Sequence, residues 1–271
     1  MGKKDRHKTD LIPIMNNLLK TKNEELLIKY FIRNSNLPGR RANLEMAAAF
    51  TEVIEEQFTE DLDIIFDICE KLIQISPEKA PTNEPREILP FCGVCAIGKI
   101  GALSEKYFPK SIIYLKDLAN DSRWRMREAV RIGIERILLK NSQKVTNELE
   151  NWVKNDNWLE MRAVAAGVAY PKALENQEVA YLALNLHKKI FVQIINSKHR
   201  RNENFKILKK GLCYTLSVVT QAVPDEGFDY MKQLLGYNDK DINQIIKENL
   251  KKNRLKKNFP KRVKSLNISI K

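Results

Sequence analysis

The sequence predicts an all-α protein whose antiparallel helix pairs stack into a right-handed α-solenoid. Glycine and proline number only 10 each among 271 residues, too few for the many tight turns of an all-β protein. Apolar residues recur three and four positions apart along most of the chain, which is the period of an amphipathic helix. Towards the C-terminus these patterns come in pairs joined by short polar links. One such pair cannot bury its apolar face alone, so neighbouring pairs are expected to stack.

The first hundred residues predict less regular helices. The expected helices are Leu11–Lys20, Glu24–Arg33, Asn43–Phe58, Asp61–Ile75 and Glu87–Lys106. The segment 34–41 reads as a loop because Pro38 and Gly39 interrupt the pattern. The segment from Glu87 is apolar on most sides, which is typical of a helix buried between neighbours. Its glycines, at positions 93, 98 and 101, would let other helices approach closely.

The later helices are expected in regular order. After Pro109–Leu118 and Trp124–Leu139, the pairs are Val145–Val153 with Trp158–Tyr170, Asn176–Asn196 with Glu203–Thr220, and Pro224–Leu235 with Lys240–Lys252. Asp, Asn or Ser in the links would cap the helix N-termini. A weak repeat supports this order, because Arg127-Glu-Ala-Val and Arg162-Ala-Val-Ala, 35 positions apart, each follow a tryptophan. We predict one solenoid over 1–255, divergent over 1–106 and regular over 107–255, followed by a flexible basic tail over 256–271.

The net charge points to an anionic partner. The chain carries +13, from 47 Lys and Arg against 34 Asp and Glu, with a pI near 9.5. DNA, RNA and an anionic membrane surface are the candidate partners, and a generally basic proteome is the alternative explanation. Because the N-terminus lacks the apolar core of a signal peptide and no apolar run approaches a membrane span, we expect a cytoplasmic protein.

The segment 122–131 holds the first candidate site. Arg123, Arg127 and Arg131 recur every four residues, so on a helix they share one face that could bind phosphates. Trp124 and Glu128 share the adjacent face. The alternative interpretation is a solvated face with an Arg–Glu pair and a tryptophan packed against the next repeat. Further cations cluster around residues 188–210, among them Lys206, Lys209 and Lys210, and over residues 247–264.

Other motifs point away from metal or nucleotide chemistry. Cys92-Gly-Val-Cys95 is the only C-x-x-C motif, its surroundings are apolar, and the three histidines lie far away in sequence. Two buried core thiols are the favoured interpretation. No glycine-rich phosphate loop or nucleophile elbow occurs. We therefore expect no metal, no cofactor and no nucleotide cofactor.

From Pro109 to Lys252 the chain resembles the HEAT-like-repeat DNA glycosylases of alkylation repair. Three segments in the same order carry the resemblance: Ser122-Arg-Trp-Arg-Met-Arg-Glu128, Trp152-Val-Lys-Asn-Asp-Asn-Trp-Leu-Glu-Met-Arg-Ala163, and Phe205-Lys-Ile-Leu-Lys-Lys-Gly-Leu-Cys-Tyr-Thr-Leu216. The first hundred residues look more like a broader set of uncharacterised HEAT-repeat proteins. The family's best-studied members use aspartate where this chain has Glu128, and tryptophan where it has Tyr214.

The resemblance implies an enzyme that excises cationic N-alkylated purines from double-stranded DNA. It would make Trp124, Glu128 and Tyr214 catalytic, with Arg162 on the DNA backbone near the lesion. A carboxylate and aromatic faces would stabilise the positive charge that develops on the sugar. We expect a monomer without membrane contact. One alternative is a non-enzymatic scaffold that binds protein or RNA, and another is membrane association through Val263, Leu266, Ile268 and Ile270.

Overall fold

The computed structural model describes residues 2–269. Over this range the chain forms fourteen α-helices and three short 3-10 turns, and it contains no β-strand. The all-α prediction is therefore confirmed. The backbone divides into two compact units, Met1–Lys140 and Asn141–Lys271, whereas the sequence suggested a change of character near residue 106.

The first unit is built from α1 (Lys3–Thr21), α2 (Glu25–Arg33), α3 (Leu44–Gln57), α4 (Leu62–Ile73), α5 (Ile88–Leu103), α6 (Phe108–Leu118) and the beginning of α7 (Trp124–Lys154). The sequence predicted two helices where α7 lies. The structure joins them through Asn141, whose backbone angles of φ −137° and ψ 50° are not helical. The second unit begins at this break.

Helix α5 lies in the core of the first unit and packs against α3, α4 and α6. All its residues from Ile88 to Ala102 are buried, which confirms the prediction made from its apolar sequence. The buried charge on this helix, Lys99, forms an ion pair with Glu55 at 2.5 Å. Burial of both cysteine thiols, Cys92 and Cys95, raises their pKa, to about 12 for Cys95. They therefore behave as core side chains.

Helices α5 and α7 touch through two glycines. A Cβ atom built on Gly98 would lie 2.2 Å from the Cα of Gly133, a backbone atom that cannot rotate away. A Cβ atom on Gly133 would instead meet a methyl group of Leu115 at 2.7 Å, the far end of a flexible side chain. Gly98 therefore sets the closest approach of the two helices, and with it the position of the first turns of α7.

We expect Gly98→Ala to lower the free energy of unfolding of the first unit by about 3 kcal/mol, as overpacking of a close core contact does. Gly133→Ala is the matched control, because Leu115 can rotate and alanine favours the helix. It should cost about 1 kcal/mol or less. Urea unfolding followed by circular dichroism measures both values. Equal losses in the two variants would contradict the close backbone contact.

The second unit contains α8 (Trp158–Val168), α9 (Gln177–Asn196), α10 (Glu203–Ala222), α11 (Pro224–Leu235), α12 (Lys240–Leu250), α13 (Asn253–Asn258) and α14 (Pro260–Ser269). Side chains in the polar links cap four of these helices, as predicted: those of Asn157, Asn176, Asn202 and Asp239. Helix α10 packs against α8, α9, α11 and α12. It is the central helix of this unit.

Buried polar side chains join α10 to its neighbours. The Asn249 amide on α12 donates to the carbonyl of Leu212 and accepts from the Ser217 amide. On α9, Nδ1 of His187 lies 2.8 Å from the Ala183 carbonyl, and its Nε2 lies 2.9 Å from Oγ1 of Thr215. Nδ1 therefore carries the proton, and Nε2 accepts from the hydroxyl. Burial lowers the pKa of His187 to about 4.

This shifted pKa predicts acid sensitivity of the second unit. Above pH 6.5 the imidazole is neutral in the folded and unfolded chain, so it adds no pH dependence. Below pH 6.5 the unfolded chain binds the proton first, and by pH 5 the loss of stability is about 2 kcal/mol. His187→Gln should remove this loss, whereas His199→Gln, at an exposed position, should keep it. Urea unfolding at pH 7 and pH 5 tests this, and parallel losses in all three proteins would refute it.

The basic tail differs from its prediction. Residues 256–258 and 260–269 are helical, in α13 and α14, where the sequence suggested a flexible segment. Two apolar side chains explain the order, because Val263 and Leu266 are buried where α14 packs against α11 and α12. They are therefore unavailable to a membrane surface. Ile268 is exposed, and Ile270 lies outside the described residues. None of the described helices combines the length and apolar character that crossing a bilayer requires.

Candidate functional site

The predicted arginine face of α7 is largely engaged within the protein. Arg123 is 2% exposed: it binds the carboxylate of Asp121 through two nitrogens and donates to the carbonyls of Ile75 and Ala80. Nη1 of Arg127 donates to the Asp121 carbonyl at 2.6 Å. The expectation that Arg123 contacts DNA is therefore wrong, because its guanidinium is buried and bonded to Asp121 and to the carbonyls of Ile75 and Ala80.

Arg125, which the sequence did not single out, anchors a loop. It is 3% exposed, and its Nη1 donates to Oε2 of the fully buried Glu87 at 2.9 Å. Its Nη2 donates to the Gly39 carbonyl at 2.7 Å. The amide of Gly39 in turn donates to Oδ1 of Asn83 at 3.0 Å. Removing one partner of such a buried pair costs about 3–5 kcal/mol, so the loop 34–43 is firmly held beside the start of α7.

A cavity of about 360 Å³ opens between this loop and α7. Its lining includes Arg40, Arg41, Trp124, Glu128 and Arg131, together with the apolar side chains of Leu44 and Phe91. Trp124 is 45% exposed, and the guanidinium of Arg125 lies 4.4 Å from the centre of its ring. The structure thus brings the predicted Trp124 and Glu128 to one open site.

Glu128 belongs to a charged triad. Nε of Arg131 donates to Oε2 of Glu128 at 3.0 Å, and its Nη1 contacts the carboxylate of Glu135. Burial raises the pKa of Glu135 to about 7, against the opposing attraction of Arg131. Burial also opposes the charge of Arg131, but Glu135 and Glu128 together raise its pKa. Glu128 remains one-third exposed, so it stays accessible although Arg131 balances its charge.

Arg40 and Arg41 were missed by the sequence reasoning. Both are exposed, and neither has an ion-pair or hydrogen-bond partner among residues 2–269. The available signal was their position directly after the Pro38–Gly39 break, in a loop that must lie at the surface. Nothing in the sequence connects that loop with Trp124, which is more than eighty residues away.

In the second unit, the predicted lysines of α10 fall into different surroundings. Lys209 pairs with Asp241 at 2.7 Å, beside the ion pair of Arg200 with Asp239. Lys206 pairs with the exposed Glu203 at 2.6 Å. Lys210 is exposed and makes no side-chain contact of this kind within the described chain. Of the three, Lys210 is the cation most available to a ligand.

Tyr214 lies one helical turn beyond Lys210 and is 48% exposed. Its hydroxyl accepts from Nη2 of Arg254 at 2.8 Å, and the same guanidinium lies 4.5 Å from the ring centre. Between Lys210 and Tyr214, Arg162 of α8 packs beside Gly211, with its Cγ 3.6 Å from where a Cβ atom on this glycine would lie, an ordinary contact distance. The four residues Arg162, Lys210, Tyr214 and Arg254 are called the α10 face below.

Trp158 plays a structural role. Trp158 is 5% exposed, donates to the His199 carbonyl at 3.3 Å and packs edge-on against Phe205. This confirms packing as its role and separates it from the exposed Trp124, although the two follow similar turns.

Within residues 2–269, no group of three or more His, Cys, Asp or Glu side chains is placed to hold a metal ion.

The predicted catalytic residues, and Arg162 as the predicted backbone contact near the lesion, are divided between the two units. Trp124 and Glu128 belong to the first unit, and Arg162 and Tyr214 belong to the second. Their joint action on one ligand stays a prediction.

In comparisons with known proteins, no family model, curated protein or solved structure matches the chain.

Proposed function

We propose that the protein binds double-stranded DNA through the α10 face of its second unit. The observation that carries this proposal is the exposed ring of Tyr214 with the guanidinium of Arg254 against it, Lys210 one turn earlier on α10 and Arg162 beside Gly211. Arginine and lysine side chains bind backbone phosphates, and an exposed aromatic ring adds stacking or sugar contacts. The fold proposed for this role is a HEAT-like solenoid. This fold is supported by the packing of every second helix against the next one of its layer, as in stacked helix pairs. These helices are α1, α3 and α5 in the first unit and α8, α10 and α12 in the second.

The charge distribution supports a polyanionic partner for the same unit. Residues 141–271 contain 24 Lys and Arg against 13 Asp and Glu, a net charge of +11. Residues 1–140 contain 23 against 21, a net charge of only +2. A basic proteome alone would spread the excess over both units. Its concentration in one unit favours a phosphate backbone as the ligand.

We expect duplex DNA binding to weaken log-linearly with salt, and Lys210→Ala/Arg254→Ala to flatten the slope by about 2, close to one per lost phosphate contact. Lys172→Ala/Lys232→Ala is the matched control, because it removes two exposed cations from elsewhere in the same unit. Fluorescence anisotropy over a salt series gives the slopes. Identical slopes for the two double variants would refute the α10 face as the contact. Preference for RNA or a protein partner would favour the scaffold function instead.

Base excision is a second candidate function, and it concerns the first unit. The observation in its favour is that the half-exposed Trp124 and the accessible Glu128 line one open cavity, one helical turn apart. A carboxylate there could stabilise positive charge on a deoxyribose and orient a water molecule. The ion pair with Arg131 reduces this electrostatic effect, so excision would be confined to bases that are already cationic and leave readily.

We expect the protein to release N-alkylated purines from methylated duplex DNA, and Glu128→Gln to slow release by roughly 100-fold, as loss of a group that stabilises transition-state charge does. Glu45→Gln, an exposed carboxylate of the same unit, is the control and should leave the rate unchanged. Chromatography of the released bases measures the rates. Absence of release by the native protein, or equal rates in native protein and Glu128→Gln, would remove this function.

A further inference from the structure

The cavity beside Trp124 carries more positive charge than excision of a cationic base requires. Its lining holds four arginines, at positions 40, 41, 125 and 131, and one carboxylate, Glu128. Glu87 balances Arg125, and Glu128 balances Arg131. The charges of Arg40 and Arg41 have no counterpart among the described residues. Glu135 also contacts Arg131, and because burial raises its pKa to about 7 it is only partly ionised at neutral pH, so the excess lies between one and two positive charges. This excess suits a phosphate monoester, which carries about −1.5 to −2 at neutral pH.

The loop that carries these two arginines is held in place before any ligand arrives. Arg125 and Asn83 fix Gly39 through both its carbonyl and its amide, directly before Arg40. On the other side of the pair, the amide of Asn43 donates to the Ser35 carbonyl at 3.0 Å and closes the loop. A ligand that binds Arg40 and Arg41 therefore orders two side chains and not a mobile backbone, which lowers the entropic cost of binding.

The opposite wall of the cavity is aromatic. The guanidinium of Arg125 covers part of the Trp124 ring, and 45% of this residue remains exposed. Nucleic-acid bases stack on such rings with little sequence preference. Leu44, 47% exposed on the loop side, extends the apolar surface.

We infer that this cavity binds a phosphorylated nucleotide, with the phosphate on Arg40 and Arg41 and the base on Trp124. The volume of about 360 Å³ lies at the small end of ligand sites and suits one nucleotide. No glycine-rich phosphate loop is needed, because the paired arginine forks bind the phosphate oxygens directly. The ligand is either a free mononucleotide or the 5′-phosphorylated end of a strand. This inference requires neither base release nor the α10 face.

Fluorescence offers a direct readout with the full-length protein. Trp152 and Trp158 are buried, so quenching of the exposed Trp124 reports on the cavity. We expect AMP to quench this emission and to bind at least tenfold more tightly than adenosine, which lacks the phosphate. A 5′-phosphorylated dinucleotide and its unphosphorylated form make up the second arm. Tighter binding of AMP identifies a free nucleotide as the ligand, and tighter binding of the phosphorylated dinucleotide identifies a strand end.

Variants separate this site from general anion binding. Arg40→Ala/Arg41→Ala should weaken AMP binding by roughly 100-fold, the loss expected for two charge-assisted contacts. Arg6→Ala/Arg33→Ala is the matched control: these exposed arginines of the same unit line a different cavity. Lys210→Ala/Arg254→Ala should leave AMP binding unchanged, so that failure here is distinct from failure of the DNA proposal. Thermal unfolding of each variant checks its fold.

Three results would overturn the inference. They are equal affinity for AMP and adenosine, equal loss in the Arg40/Arg41 and Arg6/Arg33 variants, and binding of inorganic phosphate as tight as that of AMP. The last would mean that Trp124 contributes nothing. Trp124→Ala provides the complementary check by calorimetry, and it should weaken AMP about tenfold while leaving inorganic phosphate unaffected.

Discussion

The buried pair of Arg125 and Glu87 is the interaction on which the candidate site in the first unit depends. Two charges removed from water must satisfy each other, and the remaining nitrogens of the guanidinium must find further acceptors. Nη2 of Arg125 finds two acceptors, on Gly39 and Asn83, which belong to two different loops, whereas its buried Nε has none among residues 2–269. Arg123 similarly donates hydrogen bonds to the carbonyls of Ile75 and Ala80, in the segment that follows α4. The first residues of α7 thus hold the neighbouring loops in place through hydrogen bonds. The cavity is the space between the loop that carries Arg40 and Arg41 and helix α7.

The two units solve the problem of polar groups in a helical core in different ways. The first unit buries charge in pairs: Arg125 with Glu87, and Lys99 with Glu55. The second buries mainly neutral polar groups, such as Asn249, whose hydrogen bonds tie α12 to the backbone of α10, together with the carboxylate of Glu160. None of the described Lys and Arg side chains of the second unit is buried, so its many cations lie near the surface. The first has almost no net charge, and two of its arginines without an ion pair, Arg40 and Arg41, lie side by side at the Trp124 cavity.

These differences support the distinct roles that we propose for the two units. The α10 face presents cations around an exposed tyrosine, as the proposed contact with a phosphate backbone requires, and the Trp124 cavity has a volume that suits a single small ligand. A protein that contacts a strand with one unit and holds one phosphorylated nucleotide in the other would use both. Arg131 contacts both Glu128 at this cavity and the buried carboxyl of Glu135. Burial raises the pKa of Glu135, so a second negative charge beside Arg131 is unfavourable.

The sequence by itself determined the helical class, most helix positions, the caps and the buried character of α5, because these follow from local spacing and composition. It also indicated Trp124, Glu128 and Tyr214 as a group of interest. Only the tertiary structure decided which arginines are free. Arg123 and Arg125 look no different in sequence from Arg40 and Arg41, yet the first two are buried in ion pairs and the others face solvent. The tertiary structure also explains why the last two helices are ordered, because Val263 and Leu266 are buried against α11 and α12. Burial and pairing of a charged side chain depend on segments distant along the chain, and local periodicity carries no information about those contacts.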